Sequence, residues 1–303
     1  MSVITTGNIP KLLWPGLNAI WGREYEEYDA EYKDLFDIKT SSMNYEEDVE
    51  VTGFGLAPVK PQGSSIVYDT FQQQTVTRYT HVAYGLGFIV TREEIDDNLY
   101  EKKATTNTAA LAWSFRQTKE NVGANVYNRG FNSAFQPTGD GQALFSASHP
   151  TMSGNQSNLL TAADLSEAAL EDACIQIMGA QNARGLIIKL MPESLHIPRQ
   201  LVFEAERILK SILTPDSGNN AINALRTTGM FPKGAKVNHY FTDADAYFIR
   251  TNVPVSGMTM FQRTKAEFAQ DGDFDTSNLK YRGYERYAVG CSDFRAVYGS
   301  AGS

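Results

Sequence analysis

Ser64-Ser65-Ile66-Val67-Tyr68-Asp69-Thr70-Phe71-Gln72-Gln73-Gln74-Thr75-Val76-Thr77-Arg78-Tyr79-Thr80 is the stretch on which the reading of this chain turns. It is rich in β-formers, yet neither face is cleanly apolar. Ile66, Tyr68, Thr70, Gln72, Gln74, Val76 and Arg78 lie on one side, and Val67, Asp69, Phe71, Gln73, Thr75, Thr77 and Tyr79 on the other. Such a strand cannot bury enough apolar area to hold itself in place. Either it pairs in an arm that leaves the body, or it packs on another subunit. Both readings point to an assembly protein rather than an enzyme.

On the N-terminal side, Tyr45 to Leu56 alternates acidic and apolar residues and reads as a partner strand. Pro58-Val59-Lys60-Pro61-Gln62-Gly63 supplies the turn between the two. A hairpin this polar projects outward. On the C-terminal side comes the apolar, glycine-bearing run Tyr84-Gly85-Leu86-Gly87-Phe88-Ile89-Val90. Thr91-Arg92-Glu93-Glu94 then fits a capping box. Ala104, Thr108, Leu111, Phe115, Val122 and Val126 fall on one helical stripe. A helix from Thr91 to Asn128 would be about 57 Å long at the standard rise per residue. Its weakly apolar face suits a spine covered by a sheet on one side. Ahead of the hairpin, Leu13, Leu17, Ile20, Trp21, Tyr25, Tyr28 and Tyr32 recur at helical spacing in an N-terminal arm. That helix docks on its own body or on a neighbour, and pattern alone leaves both open.

Residues 130–163 read as loop, with Asp140-Gly141 as a tight turn. Residues 164–262 read as a compact α/β region. Asp164-Leu165-Ser166-Glu167 offers a second capping box, and Gly185 a stop for the helix that follows. Leu186 to Leu190 reads as a short buried strand and Leu195-His196-Ile197 as another. Pro198 opens a helix, and residues 215–234 form a long loop. Strands are expected at 235–241, 246–250 and 258–261. Leu279 to Cys291 and Phe294 to Gly299 read as a closing antiparallel pair.

The 303 residues, 42% hydrophobic and 20% charged, suffice for one large domain or two moderate ones. A net charge of −8 argues against a sequence-reading DNA binder, though not against a wall around nucleic acid. Cys174 and Cys291 form no C-x-x-C pair and are expected as buried thiols. No apolar run reaches 18 residues, and the N-terminus carries neither the basic nor the apolar region of a signal peptide.

Catalytic constellations are weak. His81, His149, His196 and His239 are scattered. Ser146, Ser148 and His149 invite a serine-hydrolase reading, but a nucleophile elbow needs G-x-S-x-G between strand and helix. Gly53-x-Gly55 and Gly85-x-Gly87 lack the third glycine of a dinucleotide fingerprint. Asp271, Asp273 and Asp275 alternate as in a calcium loop, but Thr276 and Arg282 stand where glycine and glutamate are needed. Arg282, Arg286 and Arg295 suit inter-subunit ion pairs better than nucleic-acid contact in so acidic a chain. No catalytic, cofactor-binding or metal-ligating residue is expected, and no cofactor.

The order of parts resembles the major capsid (head) proteins of tailed bacteriophages, most of all the major head subunit of Mu-like phages. Ala143-Leu144-Phe145-Ser146-Ala147-Ser148-His149-Pro150-Thr151 followed by Asn155 to Leu160 is similar to a loop of such proteins. So is the ending Lys280-Tyr281-Arg282, Tyr287 and Asp293-Phe294-Arg295-Ala296-Val297-Tyr298-Gly299. The resemblance implies an α+β chain with the Hong Kong-ninety-seven-type capsid fold. It divides the chain into an N-terminal arm at 1–45, an extended loop at 46–83 lying on a neighbour, a peripheral domain with the spine helix at 84–163 and 270–303, and an axial domain at 164–269. It also implies self-assembly into pentamers and hexamers, and an icosahedral shell around double-stranded DNA held without sequence recognition. Scaffold, portal and maturation protease are implied partners, with a decoration protein as a further one and no membrane. The location implied is the virion, with assembly in the host cytoplasm. The chain begins at Met1 with no long helical segment ahead of the arm, so a separate scaffold, or one of different form, is expected. Lys60 invites a covalent crosslink, but no glutamate is placed to catalyse one. The inter-subunit contacts expected are Leu13, Leu17, Trp21, Tyr25, Lys60, Ile66, Tyr68, Phe71, Val76 and Arg78. Rival readings are an encapsulin-like nanocompartment shell, a hydrolase using Ser148 and His149, and another phage structural part such as a tail tube or decoration protein.

Overall fold

In the computed structural model the described residues are 9–97, 100–213, 222–253, 257–273 and 276–303. The elements run α1 (Ile9–Glu26), α2 (Tyr32–Leu35), β1 (Asp37–Thr40), β2 (Tyr45–Val51), β3 (Gln73–Thr80), β4 (Val82–Val90), α3 (Arg92–Asp96) and α4 (Tyr100–Asn128). They continue with β5 (His149–Thr151), β6 (Gly154–Gln156), α5 (Glu167–Met178), β7 (Pro192–Pro198), α6 (Val202–Lys210), α7 (Ala224–Thr228), β8 (Ala235–Asn238), β9 (Tyr247–Thr251), β10 (Met258–Gly272), β11 (Leu279–Cys291) and β12 (Val297–Ser300).

Two four-stranded sheets organise them. The first has the order β1-β10-β11-β4, with β11 antiparallel to both neighbours and β1 parallel to β10. The second has the order β12-β9-β7-β8. Beside them stand two hairpins, β2–β3 and β5–β6.

The spine helix α4 packs on the first sheet through the stripe that the sequence marks. Ala104, Thr108, Leu111, Phe115 and Val126 are all buried. Gly283 on β11 makes the approach possible, because a Cβ there would lie 2.5 Å from the Phe115 ring. The arm helix α1 closes this core. Trp21 stacks on Phe268 at 5.3 Å and meets Phe115 edge-on at 5.5 Å. A second cluster centres on Tyr127, Phe145 and Phe248 and joins α4 to β9 of the other sheet. A third, with Leu170, Ile177, Leu195, Ile208 and Ile249, fills the lobe formed by α5–α7 and the second sheet.

Several expectations are corrected. The capping box at Thr91 and Glu94 forms, with Thr91 N–H on Glu94 Oε2 at 3.2 Å and Glu94 N–H on Thr91 Oγ1 at 3.4 Å. It starts the five-residue α3, however, and the spine proper begins at Tyr100, so its 29 residues give about 44 Å. Between the two helices only Asp97 is described, and residues 98–99 lie outside the described ones. The opening strand pairs only from Gln73, and 64–72 has no ladder partner. Ser166 alone caps α5 through Ala169 N–H, and Asp164 takes no part. The helix stops at Met178 with Gly179 as cap, while Gly185 sits in a later turn. Leu186 to Leu190 is no strand, and Ile187 is 71% exposed. The long loop at 215–234 contains α7, and its residues 215–221 lie outside the described ones. β10 runs on to Gly272 rather than ending at Phe261. The closing strands do not pair with each other: β11 joins the first sheet and β12 the second. Cys174 and Cys291 are free and buried, as expected.

Candidate functional site

The hairpin β2–β3 carries the sequence's strongest signal. Its register pairs Tyr45 with Thr80, Glu47 with Arg78 and Val49 with Val76. Arg78 places its guanidinium 3.8 Å from the Tyr45 ring centroid and lies 3.9 Å from Glu47. The base of the hairpin is socketed. Thr77 is buried and accepts Gly139 N–H at 3.1 Å. Any Cβ at Gly139 would collide with the Val76 carbonyl, so only glycine lets the 136–142 loop lie this close. Tyr79 is buried and bonds Ser292, which donates to Asp48 at 2.6 Å.

Beyond the ladder the picture reverses. Thr52 and Gln72 exchange two bonds, and then 53–71 runs as two legs outside any strand ladder. Phe54 and Phe71 meet edge-on at 6.1 Å but each stays 61% exposed. Leu56, Val59, Ile66, Val67 and Tyr68 are more exposed still. Exposed apolar side chains gathered on one loop are a feature that interaction surfaces share.

The residues expected at inter-subunit contacts therefore divide. Lys60, Ile66, Tyr68, Phe71, Val76 and Arg78 are exposed along the loop and β3. Leu17 and Trp21 are buried in this chain's own core, against α4 and β10. Tyr25 is half-buried and donates to Glu285 at 3.2 Å. Leu13 lies on α1, but its side chain is outside the described residues. Val67 belongs to the same exposed stretch from Ile66, and Phe54, Leu56 and Val59 are exposed beside it although the sequence reading names none of the three as a contact.

The hydrolase reading fails on geometry. His149 is fully buried and stacked on Phe294 at 4.1 Å. Its Nδ1 faces Asp140 Oδ2 at 2.5 Å and its Nε2 faces Asn158 Oδ1 at 3.0 Å. Neither ring nitrogen is left for Ser148, which is exposed. Asn158 is the hub: its amide donates to the carbonyls of Leu144, Phe294 and Val297. The donors around Asp140 hold its carboxyl below the usual range in spite of burial: His149, Thr138 and the Gln142 N–H all bond to it. This loop is a structural joint.

The calcium-loop pattern also dissolves. Asp273 pairs with Lys280 at 2.6 Å, and Asp275 lies outside the described residues. No group of three metal-capable side chains occurs among the described residues. No described helix is long and apolar enough to cross a membrane. Arg295 is buried and bonds Glu50, Asp293 and Gln156 of its own chain.

A family model described as "Phage capsid protein" matches residues 74–300. No curated protein matches the chain. Among solved structures, a virus-like particle from Pyrococcus furiosus is similar at a TM-score of 0.52 and 12% identity, covering 94% of this chain and 97% of that one. Mycobacterium phage Patience gives 0.54 and 10%, with 95% and 87% covered. The capsid of a native GTA particle gives 0.55 and 9%, with 89% of each chain covered.

Proposed function

The chain belongs to the phage capsid protein family, has the α+β Hong Kong-ninety-seven-type capsid fold, and is a structural protein rather than an enzyme; from that premise we propose how it builds a tailed-phage head shell. Copies gather as pentamers and hexamers, and these close into an icosahedral shell around double-stranded DNA. The observation that carries this reading is the loop at 52–72, whose apolar residues are exposed on a base that is rigidly socketed. Each contact need only be modest, because many symmetric copies act together.

In this proposal 46–83 is the extended loop that lies on a neighbour, with Lys60, Ile66, Tyr68, Phe71, Val76 and Arg78 at the contact. Residues 1–45 form the arm, 84–163 with 270–303 the peripheral domain, and 164–269 the axial domain. The burial of Leu17 and Trp21 supports an arm helix that anchors on its own subunit before its remaining face meets another. The subtype proposed is Mu-like, on the loop and ending quoted above. Assembly takes place in the host cytoplasm, with scaffold, portal and maturation protease as partners. Negative-stain electron microscopy of the purified protein tests the proposal. Closed icosahedral shells are expected, and protein that stays unassembled across salt and concentration would contradict it.

A second reading, an encapsulin-like nanocompartment shell, keeps the same fold, which a virus-like particle from Pyrococcus furiosus shares over nearly the full length of both chains. The shell would then enclose protein cargo. Nucleic acid in shells purified from their native source separates the two: genome-length double-stranded DNA supports the head, and a co-purifying enzyme without DNA supports the compartment.

A further inference from the structure

We propose that Arg184 and Asp69 form a posture latch, which fixes the projecting loop against the α5–α7 lobe of its own subunit before a neighbour is engaged. The proposal rests on the reading of 52–72 as the loop offered to that neighbour.

The latch is built from both legs of the loop. Asp69 sits on the returning leg. Its Oδ2 accepts Gly55 N–H from the outgoing leg at 2.9 Å, and its Oδ1 accepts Thr70 N–H at 2.8 Å. Those two amides, with Arg184 behind them, hold the Asp69 carboxyl below the ordinary range, so it stays charged through the neutral region. Arg184 reaches in from the turn after α5. Its Nη1 donates to Asp69 Oδ2 at 2.8 Å and its Nη2 to the Thr70 carbonyl. One planar guanidinium therefore joins the outgoing leg, through the shared carboxylate, and the returning leg directly. A lysine offers no such fixed planar fork.

The arginine is set in advance. Asn182 Oδ1 accepts the N–H of Arg184 and of Leu186, each at 2.9 Å, which fixes the turn. The Arg184 side chain is only 15% exposed, against 44% for Asp69. Among the described residues, both hydrogen bonds that reach 53–72 from outside the hairpin come from Arg184. Without them the legs are held to each other by the Thr52–Gln72 pair and the Gly55–Asp69 bond but to the lobe by no hydrogen bond among the described residues, and the exposed apolar residues supply no anchor of their own. A single half-exposed ion pair is also weak and salt-screened, so a neighbour's contacts can displace it. Holding a loop in one posture beforehand lowers the ordering entropy that binding must otherwise overcome.

The test uses the full chain, in the unassembled fraction separated by size exclusion. Spin labels go on Lys60→Cys at the loop and Lys189→Cys on the lobe, both exposed sites, while the native cysteines are buried. One narrow distance distribution is expected. Arg184→Ala should at least double its width at an unchanged thermal midpoint. Asp69→Asn, an exposed and near-isosteric change, should broaden it as well, and the double variant should be no wider than Arg184→Ala alone. A distribution as narrow in Arg184→Ala or Asp69→Asn as in the parent would overturn the latch, as would full additivity in the double variant. Shell formation is scored separately by microscopy, so a failed latch leaves the capsid reading standing, and failed shells leave the latch measurable.

Discussion

Lys119 on the spine helix and Glu285 on β11 form an ion pair sealed from solvent, with side chains 2% and 1% exposed. Tyr25 of the arm helix donates to the same carboxylate at 3.2 Å. The Lys119 ammonium lies 5.0 Å from the ring centroid of Tyr32 and 5.2 Å from that of Tyr287. Burial, and then the Glu285 charge, push the Tyr25 hydroxyl upward, so it remains a donor. Arm, spine and sheet thus meet on one charge pair.

Removing one partner leaves the other charged and dry. Lys119→Met should lower stability by about 3–5 kcal/mol, and the double change Lys119→Met with Glu285→Leu should recover most of that loss. Urea unfolding of the three proteins reads it. Equal losses in the single and double variants would mean that the pair is not the junction described.

Glu120 sets a pH dependence. Its carboxylate accepts the N–H groups of Glu31 at 3.0 Å and Tyr32 at 2.9 Å, pinning the arm's bend to the spine. Burial pushes its carboxyl up to about 7 from 4.5, and the nearby Glu31 adds to this, while the two amides pull the other way. A raised folded value means that the folded chain holds the proton more tightly. The resulting stability is fully present below about 4.5 and is lost as pH rises through about 7. The span corresponds to roughly 3 kcal/mol. In Glu120→Gln the difference in urea midpoint between pH 5 and pH 8 should shrink; an unchanged difference would remove Glu120 as its source.

The Ser148 and His149 pair separates structure from chemistry. Ser148→Ala should change the thermal midpoint negligibly, because the side chain is exposed. His149→Ala should lose about 3 kcal/mol or more, since it strands the buried Asp140 carboxylate and uncovers Phe294. An ester-hydrolysing activity abolished by Ser148→Ala would contradict the structural role.

Periodic segments were legible in the sequence and partner-dependent ones were not. The stripe from Ala104 to Val126 identifies the spine because each residue repeats against one surface. The hairpin is legible from Tyr45 to Thr80, and its exposed loop is foreshadowed by strands with no apolar face. The extension of β10 past Phe261 was hidden because Gln262-Arg263-Thr264-Lys265 carries no apolar residue to alternate. Backbone pairing with β11 carries it across register shifts at Gln262 to Glu267, and no side-chain pattern reports that. Leu186 to Leu190 misled in the opposite sense: an apolar run with only one bridge, Gln181 to Ile187, does not become a ladder strand. The split of β11 and β12 between two sheets is a matter of topology, which local pattern does not encode. At the candidate site, Arg184 gave no signal at all, since its partner Asp69 stands 115 positions away.

In the proposed shell a neighbouring subunit completes the loop at 52–72. Deleting residues 56–66 removes Leu56, Val59, Lys60 and Ile66 while sparing the paired strands and the Asp69 contact. Size-exclusion chromatography with light scattering, followed by negative-stain microscopy, reads the outcome. A folded subunit with an unchanged circular dichroism spectrum that forms no closed shells is expected. Normal shells from the deleted chain would contradict it.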